Sequence, residues 1–323
     1  EETRTERFID MAKRGAFPIP LRYYGAHSGR WSGQDSVNMQ NLPSRGPNAG
    51  TIKKAIKAPP GHVVIDCDSA QIEARVLAWL AGQEDLVQAF RDKQDVYKLM
   101  AHKIYNVPVA DITKVQRQVG KTVVLGAGYG VGHVKLQMFL KTQAGVEVSL
   151  EEAKRIIDTY RIASYRIADL WKQSGTGLKA LMNGQQFQID ALGLVNVVPG
   201  KGLTLPNGLF IQYPNLRAVH NDEGKAELTY TSKGLPVRIY SGKVTENFTQ
   251  AIARCVVADQ MLRISKRYKP VLTVHDAVAV VAPEREAEEA QAYVEECMSW
   301  NPKWAVGLPL ACESGVGASY GDC

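Results

Sequence analysis

Val63-Val-Ile-Asp66-Cys-Asp68-Ser-Ala-Gln71-Ile-Glu73-Ala-Arg75 passes from a strand signal straight into a helix signal, and the rest of the chain is organised around it. The apolar run Val63–Cys67 predicts a buried strand, and Gln71–Ala81 sets Ile72, Val76, Trp79 and Leu80 on one side of a helix. Matching strand signals lie far downstream. Val271–Val281 reads as strand, tight turn, strand with His275-Asp276 at the bend, and Leu308–Cys312 reads as a last strand. Helical patterns fill the middle. Val96–Tyr105 is one; Thr113-Lys-Val-Gln116 is a capping box opening a helix toward Gly126; Ser149-Leu-Glu-Glu152 opens another toward Arg161; and residues 163–183 continue helical. Phe187–Ile239 changes to short β-type runs broken by turns such as Pro206-Asn207-Gly208, followed by a long helix over Val244–Ile264 and an acidic amphipathic one over Glu284–Trp300. Upstream, Thr5–Arg14 has helical spacing and stops at Gly15, before a polar stretch, Tyr24–Gly50, of little periodicity. The expected fold is α/β: two mixed parts form one sheet-based domain, and a mostly helical segment, about 84–185, is inserted between them.

Composition sets the outer limits. The chain has 323 residues, either two domains of about 150 residues or one large domain with an insertion. Hydrophobic residues at 45% and charged residues at 22% exclude disordered, collagen-like and disulfide-scaffold classes. No apolar run approaches the roughly 18 residues of a membrane span. Glu1-Glu2-Thr3-Arg4 has no apolar leader character, so no signal peptide is expected and the start reads as trimmed. A net charge of +6 permits phosphate contacts without requiring them. Cysteines 67, 255, 297, 312 and 323 are scattered with no C-x-x-C pair, which predicts reduced thiols in a cytoplasm-like compartment and argues against a zinc site.

Two carboxylates stand in apolar surroundings. Asp68 ends the Val63–Cys67 strand and Asp276 sits at the bend of a hydrophobic hairpin. An ionised carboxylate there costs several kcal/mol unless cations or donors compensate. Two such groups supply the hard oxygen ligands that a pair of divalent ions takes, with phosphate oxygens completing the shell. The bland alternatives are a helix cap and a turn residue, and Asp66, on the same strand face, competes with Asp68. On the Thr113 helix, Arg117 and Lys121 share a face about 6 Å apart along the axis, and Leu125 continues the stripe. That pattern suits phosphates along the charges and a base or sugar against the apolar side chain; its alternative is a solvated basic face. Gly120-Lys121-Thr122 is no phosphate loop, because Val115 stands where the first glycine is needed. Glycines 126, 128, 130 and 132 read as helix termination, and Tyr129 as an aromatic placed to stack on a base.

The order of segments is itself informative. Tyr24-Gly-Ala-His-Ser-Gly-Arg30-Trp-Ser-Gly33 is followed by Val37-Asn38-Met-Gln40-Asn41-Leu-Pro43, then Asp68-Ser-Ala-Gln71-Ile-Glu73-Ala-Arg75. Arg117-x3-Lys121-x3-Leu125-x3-Tyr129-Gly130, Glu246-Asn-Phe-Thr-Gln250-Ala-Ile-Ala-Arg254, Val274-His275-Asp276 and Leu308-Pro-Leu-Ala-Cys-Glu-Ser-Gly315 complete the set. Together they resemble the family A (DNA polymerase I-like) DNA polymerases, particularly the bacteriophage branch, from about Tyr24 to Tyr320. The resemblance implies an α+β palm with an antiparallel sheet over 1–83 and 186–323, and an inserted helical fingers subdomain over 84–185. It selects Asp68 over Asp66 and implies that Asp68 and Asp276 hold two Mg²⁺ ions, with Mn²⁺ fitting the same ligands. Arg117 and Lys121 would grip the incoming triphosphate, Lys121 also acting as general acid. Gln71, Leu125 and Tyr129 would line the nucleotide site, and Glu73 would exclude a 2′-hydroxyl. Arg30, Asn38, Gln40, Asn41, Gln250 and His275 would contact primer and template. The implied partners are primer–template DNA and deoxynucleoside triphosphates, with no membrane, in a cytoplasm (that of a bacterial host, if phage-encoded).

Four features depart from the family pattern. Ala277 follows the hairpin aspartate where an acid is usual, Leu125 replaces Phe or Tyr, and Tyr97 in Asp95-Val-Tyr97 stands where many relatives carry a phosphate-contacting histidine. The chain also begins just before the first palm segment, so thumb and 3′–5′ exonuclease domains are expected to be absent, either cut away or supplied by a separate polypeptide. Rival readings are a single-subunit RNA polymerase, against which Glu73 argues, a catalytically impaired replisome module, and a metal-dependent nuclease, which has no use for the Arg117–Tyr129 helix.

Overall fold

A computed structural model describes residues 2–13, 15, 19–34, 38–42, 50–221 and 223–323. Arg14 of the first expected helix, and Val37 and Pro43 at the ends of the Val37–Pro43 segment, lie outside them. The chain divides into two compact units: residues 1–72, 253–306 and 310–323 form one, and residues 73–252 with 307–309 form the other.

The first unit is built on a four-stranded antiparallel sheet. Its central strand, His62–Ser69, pairs on one side with Ala277–Pro283, which pairs in turn with Pro270–Val274, and on the other side with Cys312–Gly317. Both faces are covered, which is why Val63, Val64, Ile65 and Cys67 are apolar on both sides of the strand, with Asp66 the one exception within Val63–Cys67. Ile65, Cys67, Val278 and Val280 pack against Val257 and Ile264 of the long helix Ser241–Ile264 and against Val294, Cys297 and Met298 of the acidic helix Ala287–Met298. Val64, Leu272 and Ala279 face the other way, against Met11, Met39, Leu42 and Tyr320. The fold is thus mixed helix and antiparallel sheet, as the sequence indicated.

The last strand differs from the expectation. It begins at Cys312, where Leu308–Cys312 was the expected run. Pro309 has no N–H to give a ladder, and the true strand is disguised by Gly315 and Gly317. A Cβ at Gly315 would lie 2.4 Å from the Cys323 carbonyl carbon, and one at Gly317 would lie 2.6 Å from Asp322 Cβ, so the chain's end packs where side chains would stand.

The second unit holds most of the described helices. Val96–Tyr105 and Lys114–Ala127 are joined by Leu150–Ala163 and Tyr165–Met182, around a core that includes Val119, Val123, Leu136, Ile156 and Tyr160. Both expected helix starts are present: Thr113 Oγ1 accepts from the Gln116 N–H at 3.2 Å while Gln116 Oε1 accepts from the Thr113 N–H at 2.9 Å, and Ser149 Oγ accepts from the Glu152 N–H at 3.0 Å. Glu84–Arg91 and His133–Phe139 are further helices that periodicity did not reveal. Gly126 lies inside its helix, where a Cβ would come 3.2 Å from the Phe139 ring, so close packing explains it better than termination; Gly130, with φ +75°, does end the turn. Phe187–Ile239 forms a four-stranded and a three-stranded antiparallel sheet.

Candidate active site

In the first unit the sheet brings the two sequence-distant aspartates together. Asp68 stands at the end of the central strand, directly opposite Ala277 on one neighbour and Glu313 on the other. Asp276 is held at the hairpin turn beside it: the Ser69 N–H donates to the Asp276 carbonyl at 3.2 Å, and His275 supplies the tight turn with φ +56°. Directly opposed residues share a face with Cβ atoms about 4.5–5.5 Å apart, so Glu313 is a close neighbour of Asp68. Desolvation, then the negative charges of Asp276, Asp66 and Glu313, push Asp68 up to about 7, although the residue keeps more than a third of its surface exposed. Burial likewise raises Asp66 to about 6, with Lys53 partly offsetting it. Protonation or a cation relieves such crowding, and carboxylate oxygens are the donor set that hard divalent ions take. Among the described residues no group of three or more His, Cys, Asp or Glu side chains is arranged to hold a metal ion. The Asp68–Asp276 pair fits divalent ions that draw their remaining ligands from phosphate oxygens and water.

Gln40 is tied to the same hairpin, its Nε2 donating to the Thr273 carbonyl at 3.4 Å. Asn38 caps the short turn Met39–Asn41, its side chain accepting from the Gln40 N–H at 3.0 Å, and Asn41 is exposed. Arg30 is half-buried and its carbonyl closes a turn with the Ala26 N–H. Gln71 takes the left-handed conformation, φ +54°, where strand becomes helix.

The second unit carries the basic stripe. Arg117, Lys121 and the half-exposed Leu125 lie along the Lys114–Ala127 helix. Arg117 Nε donates to Asp95 Oδ2 at 2.5 Å. The other oxygen of Asp95 caps the Val96–Tyr105 helix, accepting from the N–H groups of Tyr97 and Lys98 at 3.1 Å each. Burial alone would raise Asp95, but the Arg117 guanidinium and the two backbone donors outweigh it and hold the carboxyl below its ordinary value. Tyr129 does not stand free: its hydroxyl donates to Glu73 Oε2 at 3.0 Å and so fixes that carboxylate. Gln250 Nε2 reaches Glu246 Oε1 at 3.5 Å, and Lys243 pairs with the same oxygen at 2.8 Å.

Sequence reasoning missed three contributors. Glu313 is found only through strand register. Asp95 is found only through its contact with Arg117. Arg254, 9% exposed, lies over the rings of Tyr23 and Tyr24 at 5.2 and 5.5 Å, although Arg254 and Tyr24 belong to segments already singled out.

The chain as a whole has the fold of a polymerase domain of known structure. It superimposes with a TM-score of 0.72 and 20% identity on the POL domain of Pol1 from M. smegmatis, solved with DNA primer-template and dNTP, over 99% of this chain and 51% of that one. Residues 11–206 match the DNA polymerase family A profile, and the chain belongs to that family. It is 29% identical to the DNA polymerase of Bacillus phage SP02 over 93% of this chain and 52% of the relative, and 28% identical to DNA polymerase I of Pseudomonas aeruginosa over 100% of this chain and 32% of the relative. The chain therefore spans from about a third to about half the length of these relatives.

Proposed function

We propose that the chain carries out template-directed addition of deoxynucleotides to a primer 3′ end, in phage or bacterial DNA replication within a bacterial cytoplasm. The observation that carries this reading is the Asp68–Asp276 pair, set side by side by the register of the sheet and crowded enough to favour cations. Asp68 and Asp276 would hold two divalent ions, Mg²⁺ or Mn²⁺, which would supply Lewis acidity toward the 3′-hydroxyl and charge neutralisation for the leaving pyrophosphate. Arg117 and Lys121 bind the triphosphate, and Lys121 serves as the general acid that hands a proton to pyrophosphate. Leu125 gives base or sugar an apolar surface. Glu73, fixed by the Tyr129 hydroxyl, fills the space of a 2′-hydroxyl and leaves a ribonucleotide's extra oxygen unaccommodated. Gln71 lines the nucleotide site, and Arg30, Asn38, Gln40, Asn41, Gln250 and His275 engage primer and template. Minor-groove acceptors are alike for all correct pairs, so contacts there check pairing geometry instead of sequence. In this reading 1–83 and 186–323 are palm and 84–185 fingers.

The test is primer extension on a short template at low salt with Mg²⁺, supplying deoxy- and ribonucleotides separately. Extension with deoxynucleotides only is expected. Equal use of ribonucleotides would move the assignment to an RNA polymerase, and no extension despite primer–template binding would move it to a catalytically impaired replisome module.

A further inference from the structure

Lys121 and Arg117 share an aromatic neighbour. The Arg117 Cζ lies 5.3 Å and the Lys121 Nζ 5.9 Å from the centroid of a single ring, that of Tyr97. Tyr97 is 4% exposed, so its ring is a floor beneath the two cations and not a surface residue that reaches outward. The helices meet very closely at this point. A Cβ on Gly120, the residue beside Lys121, would lie 2.1 Å from the Tyr97 carbonyl oxygen and 3.1 Å from the Ala101 nitrogen. Only glycine lets the Lys114–Ala127 helix settle onto the Val96–Tyr105 helix at that depth, and that depth is what brings both cations over one ring. This accounts for the glycine in Gly120-Lys121-Thr122, which no phosphate loop explains.

We infer that Tyr97 is a positioning residue that holds Arg117 and Lys121 for a nucleoside triphosphate, with Gly120 making the close helix contact possible. The inference rests on the triphosphate reading of those two cations. Two like charges on one helix face repel each other, and a carboxylate between them would compensate that repulsion but compete with the phosphate oxygens. An aromatic face attracts both cations through its quadrupole and presents no anion to displace. Asp95 takes one edge of Arg117, and the ring supplies the rest of the compensation. The tyrosine thus works through the cations; its buried hydroxyl is not the contact that a histidine at this position would make to phosphate.

The experiment measures binding of 2′-deoxyadenosine triphosphate with Mg²⁺ by equilibrium titration, and KM and kcat for its incorporation, on the full chain. The variants are Tyr97→Phe, Tyr97→Met, Arg117→Ala and Lys121→Ala, each checked for a cooperative thermal transition. Tyr97→Phe keeps the ring and is expected to bind within about twofold of the wild type. Tyr97→Met fills similar volume without a π face, and Kd and KM are expected to rise about tenfold, or about 1.4 kcal/mol, with kcat nearly unchanged. If Tyr97→Phe weakens binding as much as Tyr97→Met, the hydroxyl is the contact and the inference is wrong. If Tyr97→Met binds normally while Lys121→Ala does not, the ring has no positioning role. If neither Arg117→Ala nor Lys121→Ala weakens binding, the triphosphate reading itself fails. Should Tyr97→Met not fold, Tyr97→Phe alone still separates ring from hydroxyl.

Discussion

Replacing Asp95 separates two contributions that one side chain makes at once. Its Oδ1 caps the Val96–Tyr105 helix through two backbone N–H groups, and its Oδ2 receives the Arg117 Nε. Asp95→Ala removes both. Loss of the cap costs about 1 kcal/mol. The ion pair, with side chains 39% and 30% exposed, is screened and adds about 0.5–1 kcal/mol. The total is about 1.5–2 kcal/mol. Asp95→Asn keeps an equally good cap and loses only the charge, so it should cost about 0.5–1 kcal/mol. The pH dependence has a definite sign. A carboxyl held below its ordinary value contributes stability above that value, near pH 4, and loses it as pH falls through the depressed one. Wild type should therefore exceed Asp95→Asn by a constant margin from pH 7 to pH 5, and the margin should shrink below about pH 4. Urea unfolding of the three proteins across this range measures it. An Asn variant as unstable as the Ala variant, or a margin that widens in acid, would refute the division into cap and ion pair.

Other predictions concern the carboxylates. Asp68 is raised to about 7, so in a chelator-treated buffer the wild type should lose stability as pH rises from about 4 to about 7, because the unfolded chain gives up that proton first. Asp68→Asn escapes this loss. Its thermal transition should overtake the wild type's above pH 7, by about 1 kcal/mol after discounting for exposure, and Mg²⁺ should stabilise only the wild type; equal responses to Mg²⁺ would count against Asp68 as a ligand. For Glu73→Ala, the ratio of ribonucleotide to deoxynucleotide incorporation should rise about tenfold, or about 1.4 kcal/mol, with Tyr129→Phe giving a smaller rise; an unchanged ratio would remove Glu73 from sugar selection.

Much of this was legible in the chain because it is local. The two helix starts are fixed by neighbours three residues apart: Thr113 and Gln116 form a full capping box, and Ser149 caps the Glu152 N–H while the Glu152 carboxylate turns to Arg155. The strand–helix junction at Asp68 was visible because a strand covered on both faces is apolar along most of its length, here Val63, Val64, Ile65 and Cys67. What escaped depends on partners distant in sequence. Glu313 becomes the neighbour of Asp68 only through the pairing of Cys312–Gly317 with the central strand, and that strand was hidden by glycines whose missing side chains make room for the chain's end. Tyr97 looked like a departure at one position. Its relation to Arg117 and Lys121 comes from how deeply two helices pack, which periodicity does not encode. Helices Glu84–Arg91 and His133–Phe139 are short, at 8 and 7 residues, too few turns for an apolar period to stand out.

The central claim is that two aspartates from opposite ends of the chain support one transfer reaction. Its most direct test is the rate of single-deoxynucleotide addition to a primer–template in Mg²⁺ for wild type, Asp68→Ala and Asp276→Ala, with primer–template binding measured alongside. The account predicts that each variant binds primer–template and loses about 10³-fold or more of the rate, the several kcal/mol that bound metal ions supply. Wild-type rates in either variant would contradict it.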